Sequence, residues 1–366
     1  MTSFRGQSLT FWIKYGLKLT VMLVLSSLVY LLALMKKRQY EKDNLRDITI
    51  LFLPPLGIGD LIMISPFVRI LQKEFKGHKV KVLTHLPSLF EEINFVKFEG
   101  YLKAIETVKA SDLIVSPTLC LRHSLFLPFS KLFIGYFSNC FVQSNFVKGG
   151  AQSRYDPKND NYSDRAFTIL RLLGIKSEDA SFPIIKCHSP SVSLPERYIV
   201  VSPYGKLKEK RLPVSKYVKL LKTIIDEFQI PIILIGSNQK DEVKFNKLIE
   251  SKVKNNLIMN LTGKLNITEA AYVIKNSICF IGNDSGPAHL AYHLAPRSFV
   301  FFGAVNPSAI IPKGTKNKIC VYFSNKCQYR PCYNGLIRPK CSKDYICLED
   351  IDIRSVIHDL KKLALQ

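Results

Sequence analysis

The run IGNDSGPAHLA at residues 281–291 joins an apolar stretch to a helix start through residues suited to hold a diphosphate. Residues 277–281 read as a buried strand, 283–286 as a tight turn, and Pro287 as a first-turn helix residue whose fixed φ suits that place. Backbone N–H groups at a helix start have no intrahelical acceptor, and the macrodipole favours an anion beside them. Asp284, Ser285 and Gly286 would line that turn, with His289 in the first helical turn. An ordinary strand-to-helix turn capped by Asp284 or Ser285 is the competing reading.

A second segment with the same logic lies near the front of the chain. Residues 47–53 (DITILFL) read as a strand, 54–59 (PPLGIG) as a glycine-containing turn, and 60–75 as a helix with Asp60 at its mouth. A third, SPYGKLKEKRLP at residues 202–213, follows a strand and precedes a helix over 214–228. Its Lys206, Lys208, Lys210 and Arg211 can surround a diphosphate with ammonium charges and one guanidinium fork, although a solvated basic loop has the same composition. In a fourth, GSNQKDE at 236–242, Asp241 and Glu242 open a helix beside the carboxyl end of a strand, where a ribose would rest. Both also suit a first helical turn for dipole reasons alone.

The elements that must carry these loops alternate as strand and helix, which predicts an α/β chain of mostly parallel sheets covered on both faces. Strands are expected near 47–53, 80–84, 112–116 and 131–135, then near 198–202, 231–235, 257–260, 277–281 and 298–302. Two such sets suggest two Rossmann-like halves. The polar, proline-containing stretch at 186–195 reads as the joint, dividing the chain into a segment 1–45, a domain 46–188 and a domain 189–366. The 366 residues, 47% of them hydrophobic, can bury two cores of ordinary size.

Residues 19–35 form an uncharged, mainly apolar run with Lys14 and Lys18 before it and Lys36, Lys37 and Arg38 after it. The run lies at the lower edge of what spans a bilayer, and it lacks the small-residue site of a cleaved signal peptide. The expectation is an uncleaved N-terminal hydrophobic helix anchored in the inner membrane, with the denser basic flank placing the rest in the cytoplasm. An interfacial helix is the alternative. The formal net charge of +23 matches an anionic membrane surface, where each nearby Lys or Arg gains about 1 kcal/mol. The basic residues are spread along the chain with no helix-turn-helix, zinc-finger or RNP-like pattern, so no nucleic acid is expected as partner.

Of the nine cysteines, Cys120, Cys140, Cys187 and Cys279 are widely spaced and read as small buried hydrophobes. Cys320, Cys327, Cys332, Cys341 and Cys347 crowd into a Tyr-, Pro- and Lys-containing tail. A thiolate metal site there is conceivable, but the paired C-x2-C knuckles of zinc ribbons are missing, and no metal is assigned.

The pairing of GIGD after the first strand with DSGPAHLA after a late one resembles the family 9 glycosyltransferases, the bacterial lipopolysaccharide heptosyltransferases and their relatives. The resemblance covers roughly residues 48–360, and Lys210-Arg-Leu-Pro213 matches the family's Lys-Arg-Trp-Pro-like element except at Leu212. It implies the GT-B fold, two Rossmann-like domains facing across a cleft, with the last helix returning to the N-terminal half. It also implies an inverting transfer from a nucleotide-diphospho-sugar, ADP-heptose by the closest analogy, to a glycolipid or oligosaccharide acceptor. Asp60 would be the general base, and Lys210 with the amides near Ser285 and Gly286 would hold the leaving diphosphate. Asp241 or Glu242 would take the ribose. The one D-x-D run, Asp350-Ile-Asp352, lies beyond these segments, so a transfer without metal or cofactor is expected. Two other readings compete. A Rossmann oxidoreductase lacks its third glycine after Gly57 and Gly59, while a non-catalytic membrane-associated scaffold that has kept the fold would have little need of Asp60, Lys210, Asp284 and His289 together.

Overall fold

The computed structural model of the chain describes residues 45–118, 121–135, 161–176, 181–312, 318–333, 341 and 343–364. The apolar run at 19–35 lies outside the described residues, as do Cys120 and Cys140. Among the described residues no helix is long and apolar enough to cross a membrane. The chain divides into two compact units between Ile184 and Ile185.

The N-terminal unit holds five strands, β1 (Asp47–Phe52), β2 (Lys79–Thr84), β3 (Phe95–Lys97), β4 (Leu113–Ser116) and β5 (Leu132–Gly135). All pairings are parallel, in the order β3-β2-β1-β4-β5. Ile48 and residues 50–53 are buried without alternation, as a parallel strand covered on both faces requires. The helices are α1 (Ile58–Glu74), α2 (Tyr101–Ala110) and α3 (Asp164–Leu172), with a 3-10 helix at Leu121–Phe129. Helix α1 continues through Pro66, which has no N–H to give the carbonyl of Ile62 one turn back. The Ser65 hydroxyl donates to that carbonyl instead, at 2.8 Å.

The C-terminal unit holds β6 (Ile199–Ser202), β7 (Ile232–Leu234), β8 (Ile258–Asn260), β9 (Cys279–Asn283), β10 (Arg297–Phe301) and β11 (Lys318–Tyr322). Its helices are α4 (Val214–Phe228), α5 (Lys240–Val253), α6 (Ile267–Lys275), α7 (Gly286–Leu294), α8 (Pro307–Ile310), α9 (Ile346–Glu349) and α10 (Ile353–Ala364). The parallel sheet runs β11-β10-β9-β6-β7-β8. Counted from β6 this is the doubly wound order 3-2-1-4-5-6, whose direction reverses between β6 and β9. Sequence reading missed β3 and β11. Cys187, read as a buried hydrophobe, is only half-buried, and its thiol donates to the Ile185 carbonyl at 3.6 Å.

The last helix also departs from expectation. Ile353, Val356, Ile357 and Leu360, spaced as one helical face, are buried in the same core as Leu220, Leu221 and Ile224 of α4. Helix α10 thus packs on its own unit, held further by Arg297 Nε donating to the Leu363 carbonyl at 2.9 Å.

Candidate active site

Adjacent parallel strands β6 and β9 release their chains at the same sheet edge, where the strand order reverses and ligands of doubly wound folds bind. From β6 comes the basic loop, with a 3-10 turn at Lys208–Lys210; from β9 come Asp284 and Ser285, then α7. Asn283, fully buried at the end of β9, ties the two together. Its Nδ2 donates to the Pro203 carbonyl at 2.7 Å, and its Oδ1 accepts the Leu212 N–H at 2.9 Å. Leu212, the departure from the family's aromatic residue, is itself fully buried in the core. The loop after β10 closes on the same turn: Ala304 N–H donates to the Glu209 carbonyl at 3.0 Å, and a Cβ on Gly303 would collide with that carbonyl. No side chain fits at that position.

This framework sets Lys210 against Asp284. The ammonium donates to Oδ2 at 2.6 Å, with the carboxylate only 2% exposed. His289 Nε2 stands 3.9 Å from the other oxygen. Burial, with the Lys210 charge helping and Asp284 opposing, pushes the His289 pKa down to about 4, so the ring is neutral at pH 7. His293, one turn on, is held at about 3 by burial and by His289. Ser285, the N-cap of α7, has extended backbone and makes no side-chain cap bond. Its hydroxyl and His289 Nδ1 are buried with no hydrogen-bond partner among the described residues. An ammonium and a neutral imidazole therefore flank the Asp284 carboxylate, next to the Ser285 hydroxyl and the first amides of α7. This is a donor set for phosphate oxygens.

Arg211, beside Lys210 in sequence, turns the other way. Its Nε donates to the Gly205 carbonyl at 2.8 Å, and its guanidinium stacks 3.9 Å from the centre of Tyr204 and 5.1 Å from Phe245. Glu242 folds back over the end of β7, accepting from Ser237 Oγ at 2.5 Å, in space left by the missing side chain of Gly236. Burial raises its carboxyl pKa, opposed by Ser237 and by the charge of Arg211. Asp241 is exposed. Of the two acidic residues, Glu242 is the one that joins the Arg211 neighbourhood.

Asp60 lies in the N-terminal unit at the third position of α1, where its Oδ2 accepts the N–H of the N-cap Gly57 at 2.8 Å. The turn before it is held from behind by His123, a residue the sequence did not single out. Fully buried, with its pKa lowered to about 3, His123 accepts the Leu53 N–H on Nε2 at 3.2 Å, which leaves the proton on Nδ1 to be donated to Ser116 Oγ at 2.7 Å. Tyr204, Phe245 and Asn283 were also missed, as was Tyr333, whose ring lies 5.4 Å from Lys210 Nζ. Tyr204 and Asn283 lie within the segments at 202–213 and 281–291 but were given no role there, whereas Phe245 and Tyr333 come from segments without a motif.

Residues 174–337 match the model of glycosyltransferase family 9 (heptosyltransferase). The chain is 27% identical over 191 residues to lipopolysaccharide heptosyltransferase 1 of Campylobacter coli, a match that spans 52% of this chain and about half (53%) of that relative. It is 23% identical to lipooligosaccharide heptosyltransferase 2 of Campylobacter jejuni over 323 residues, 85% of this chain and 97% of the relative. Among solved structures, the E. coli ADP-heptose lipopolysaccharide heptosyltransferase II superposes with a TM-score of 0.64 at 18% identity, covering 87% of this chain and 99% of that one. This likeness shows the fold, which is GT-B. With two doubly wound units, the paired loops at β6 and β9 and these matches, the chain is similar to the lipopolysaccharide heptosyltransferases and, over residues 174–337, to the model of glycosyltransferase family 9.

Proposed function

We propose that the protein transfers heptose from a nucleotide-diphospho-sugar, ADP-heptose in our reading, to a lipopolysaccharide-type acceptor with inversion at the anomeric carbon. The observation that carries this reading is the convergence of Lys210, Asp284, His289 and the start of α7 at the switch point of the C-terminal sheet. The donor's diphosphate lies there, accepting from the Lys210 ammonium, Ser285 Oγ, His289 and the helix amides. Its ribose hydroxyls donate to Glu242, and Tyr204 and Arg211 flank the nucleoside. E. coli heptosyltransferase II, the relative named for ADP-heptose, supports the choice of donor.

In the transfer, the Asp60 carboxylate takes the proton of the acceptor hydroxyl as its oxygen attacks the anomeric carbon from the face opposite the diphosphate. A carbon–oxygen bond forms to the acceptor, and the bond to the diphosphate breaks with its electron pair going to the leaving oxygen. Lys210 and the α7 amides are aimed at the charge that develops there, a task that a divalent metal performs in other glycosyltransferases. Turnover is therefore expected to be the same with and without added magnesium or manganese. The anchor at residues 19–35 and an anionic membrane surface remain part of the proposal, placing the protein at the cytoplasmic face of the inner membrane where a lipid-linked acceptor is presented.

Isothermal titration with ADP and with adenosine tests the binding half. ADP is expected to bind far more tightly, and the difference to shrink by roughly tenfold to a hundredfold in Lys210→Met. Equal affinity for ADP and adenosine in the parent protein sinks the diphosphate assignment.

A further inference from the structure

The N-terminal unit carries an apolar face that sugar transfer leaves unused. Nine large hydrophobic side chains are exposed among the described residues, and four of them, Tyr101, Leu102, Leu125 and Phe129, belong to two elements packed on each other, α2 and the 3-10 helix at Leu121–Phe129. A lone exposed leucine is ordinary, whereas a group on adjoining elements marks a surface that something covers. Leu102 is 83% exposed and Leu125 54%. Tyr101 stacks on the ring of Phe126 with centroids 5.9 Å apart, and Leu102 and Leu125 are the sequence neighbours of that pair. At the other end, Lys109 Nζ lies 5.7 Å from the centre of the Phe129 ring. Ala104, Val108 and Phe126 fill the core beneath, so the inner side of both elements is already occupied.

Between residues 97 and 131, five basic residues (Lys97, Lys103, Lys109, Arg122 and Lys131) stand against three acidic ones (Glu99, Glu106 and Asp112). All five are exposed, while Glu99 and Asp112 are engaged by Lys103 at 2.8 Å and Lys131 at 2.9 Å. The chain enters the unit beside the Phe129 end. Arg46 N–H donates to Asp112 Oδ2 at 2.9 Å, and Lys131, two residues after Phe129, donates to the other oxygen of that carboxylate. Residues 36–44 alone separate Leu45 from the apolar run at 19–35. Even fully extended, at about 3.5 Å per residue, they keep Leu45 within roughly 35 Å of the run.

On the reading that the protein works at a membrane surface, we propose that this face is where the N-terminal unit meets an anionic bilayer. Tyr101, Leu102, Leu125 and Phe129 enter the interfacial layer, and Lys97, Lys103, Lys109 and Arg122 lie among the headgroups. Leucine and aromatic side chains bordered by lysines have the composition of an interfacial element, with hydrocarbon in the acyl boundary and ammonium groups in water. Four side chains and a small excess of positive charge bind a bilayer weakly by themselves. The tether raises their effective concentration at the surface, so weak contacts are enough to set the orientation. A second copy of the chain is the poorer occupant, because a two-fold contact would set the same positive excess against itself. Helix α2 runs from the carboxyl edge of the parallel sheet, the edge that carries Asp60, to the amino edge where the tether enters. A bilayer lying along it extends from the anchor toward the proposed base, the side from which a lipid-linked acceptor arrives.

The test uses the full-length chain with its single tryptophan, Trp12, changed to Phe, reconstituted in vesicles of phosphatidylethanolamine and phosphatidylglycerol that include brominated acyl chains. Tryptophan placed by Leu102→Trp or Phe129→Trp should be quenched several-fold more strongly than tryptophan placed by Leu248→Trp, at an exposed position on α5 of the other unit. In the parent background, Leu102→Ser/Phe129→Ser should raise KM for an acceptor embedded in such vesicles several-fold and leave turnover of a delipidated, soluble acceptor unchanged. Protein that sediments with the vesicles but shows equal quenching at the three positions, or none, overturns the assignment of this face and leaves the membrane reading standing. Protein that does not sediment with them overturns both. Unquenched tryptophans at 102 and 129, in a protein whose dimerisation is abolished by Leu102→Ser/Phe129→Ser, would give the face to a second copy instead.

Discussion

Replacing Lys210 by Met removes one charge from a pair whose other member cannot reach water. Asp284 has a side chain 2% exposed, against 18% for Lys210, so the carboxylate depends on the ammonium 2.6 Å away. Breaking a buried pair in this way typically destabilises by about 3–5 kcal/mol. Here His289, 3.9 Å from the other carboxylate oxygen, can take up a proton and replace part of the lost charge. We therefore expect the lower end, about 3 kcal/mol at neutral pH, with less loss under mildly acidic conditions. Diphosphate affinity should fall separately, by about 1.5–3 kcal/mol for a charge-assisted hydrogen bond, or roughly tenfold to a hundredfold in Kd. The double variant Lys210→Met/Asp284→Asn distinguishes these effects. With both charges removed, stability should return to within about 1 kcal/mol of the parent, while ADP binding stays weak and adenosine binding is unchanged. Urea denaturation and titration calorimetry on the three proteins supply the numbers. A double variant that binds ADP like the parent would refute the assignment of Lys210 to the diphosphate.

Asp60→Asn keeps the side-chain oxygen that caps α1, so it should lower turnover by about two to four orders of magnitude with ADP affinity and stability near normal. Asp60→Ala should in addition lose about 1 kcal/mol of stability; normal turnover in either folded variant removes the base. The buried histidines set an acid limit. His123 and His293 titrate near 3 and His289 near 4 when folded, against 6.5 unfolded, so the unfolded chain binds more protons below pH 6.5. Stability should therefore fall progressively as pH drops from 6.5 toward 4, by up to about 3 kcal/mol per histidine, and urea midpoints independent of pH over that window would contradict the burial. Full-length protein should sediment with membranes and resist high-salt extraction, whereas a truncation starting at residue 45 should bind anionic vesicles only at low salt. Full-length protein wholly in the supernatant sinks the anchor.

Much of the scaffold was legible because buried parallel strands announce themselves as short apolar runs between turn residues. The runs at 47–53 and 198–202 match β1 and β6 within a residue. Strand β3 has three residues, none fully buried, and so carries no usable pattern. Strand β11 was hidden in a segment whose cysteines and lysines read as tail. The end of β9 lies two residues later than its apolar run suggests, because Asn283 continues pairing with Phe301. The neighbours Lys210, Asp284 and His289 were legible as candidates because the lysine and the helix start lie within local motifs. The Tyr204–Arg211–Phe245 stack was not, since it joins a loop to a helix through tertiary packing alone. Helix α10 was misplaced for a related reason. Its amphipathic face is plain in sequence, but only the structure says which core receives it.

The most direct test is to incubate the full-length protein with ADP-heptose and a heptose-deficient lipopolysaccharide core, then follow ADP release together with the mass and anomeric configuration of the product. The account predicts stoichiometric ADP release, an acceptor heavier by a single heptosyl unit with configuration inverted at the transferred carbon, and neither change with Asp60→Asn. A folded protein that binds ADP yet transfers no sugar from any nucleotide-heptose, or a product that retains the donor's configuration, would contradict it.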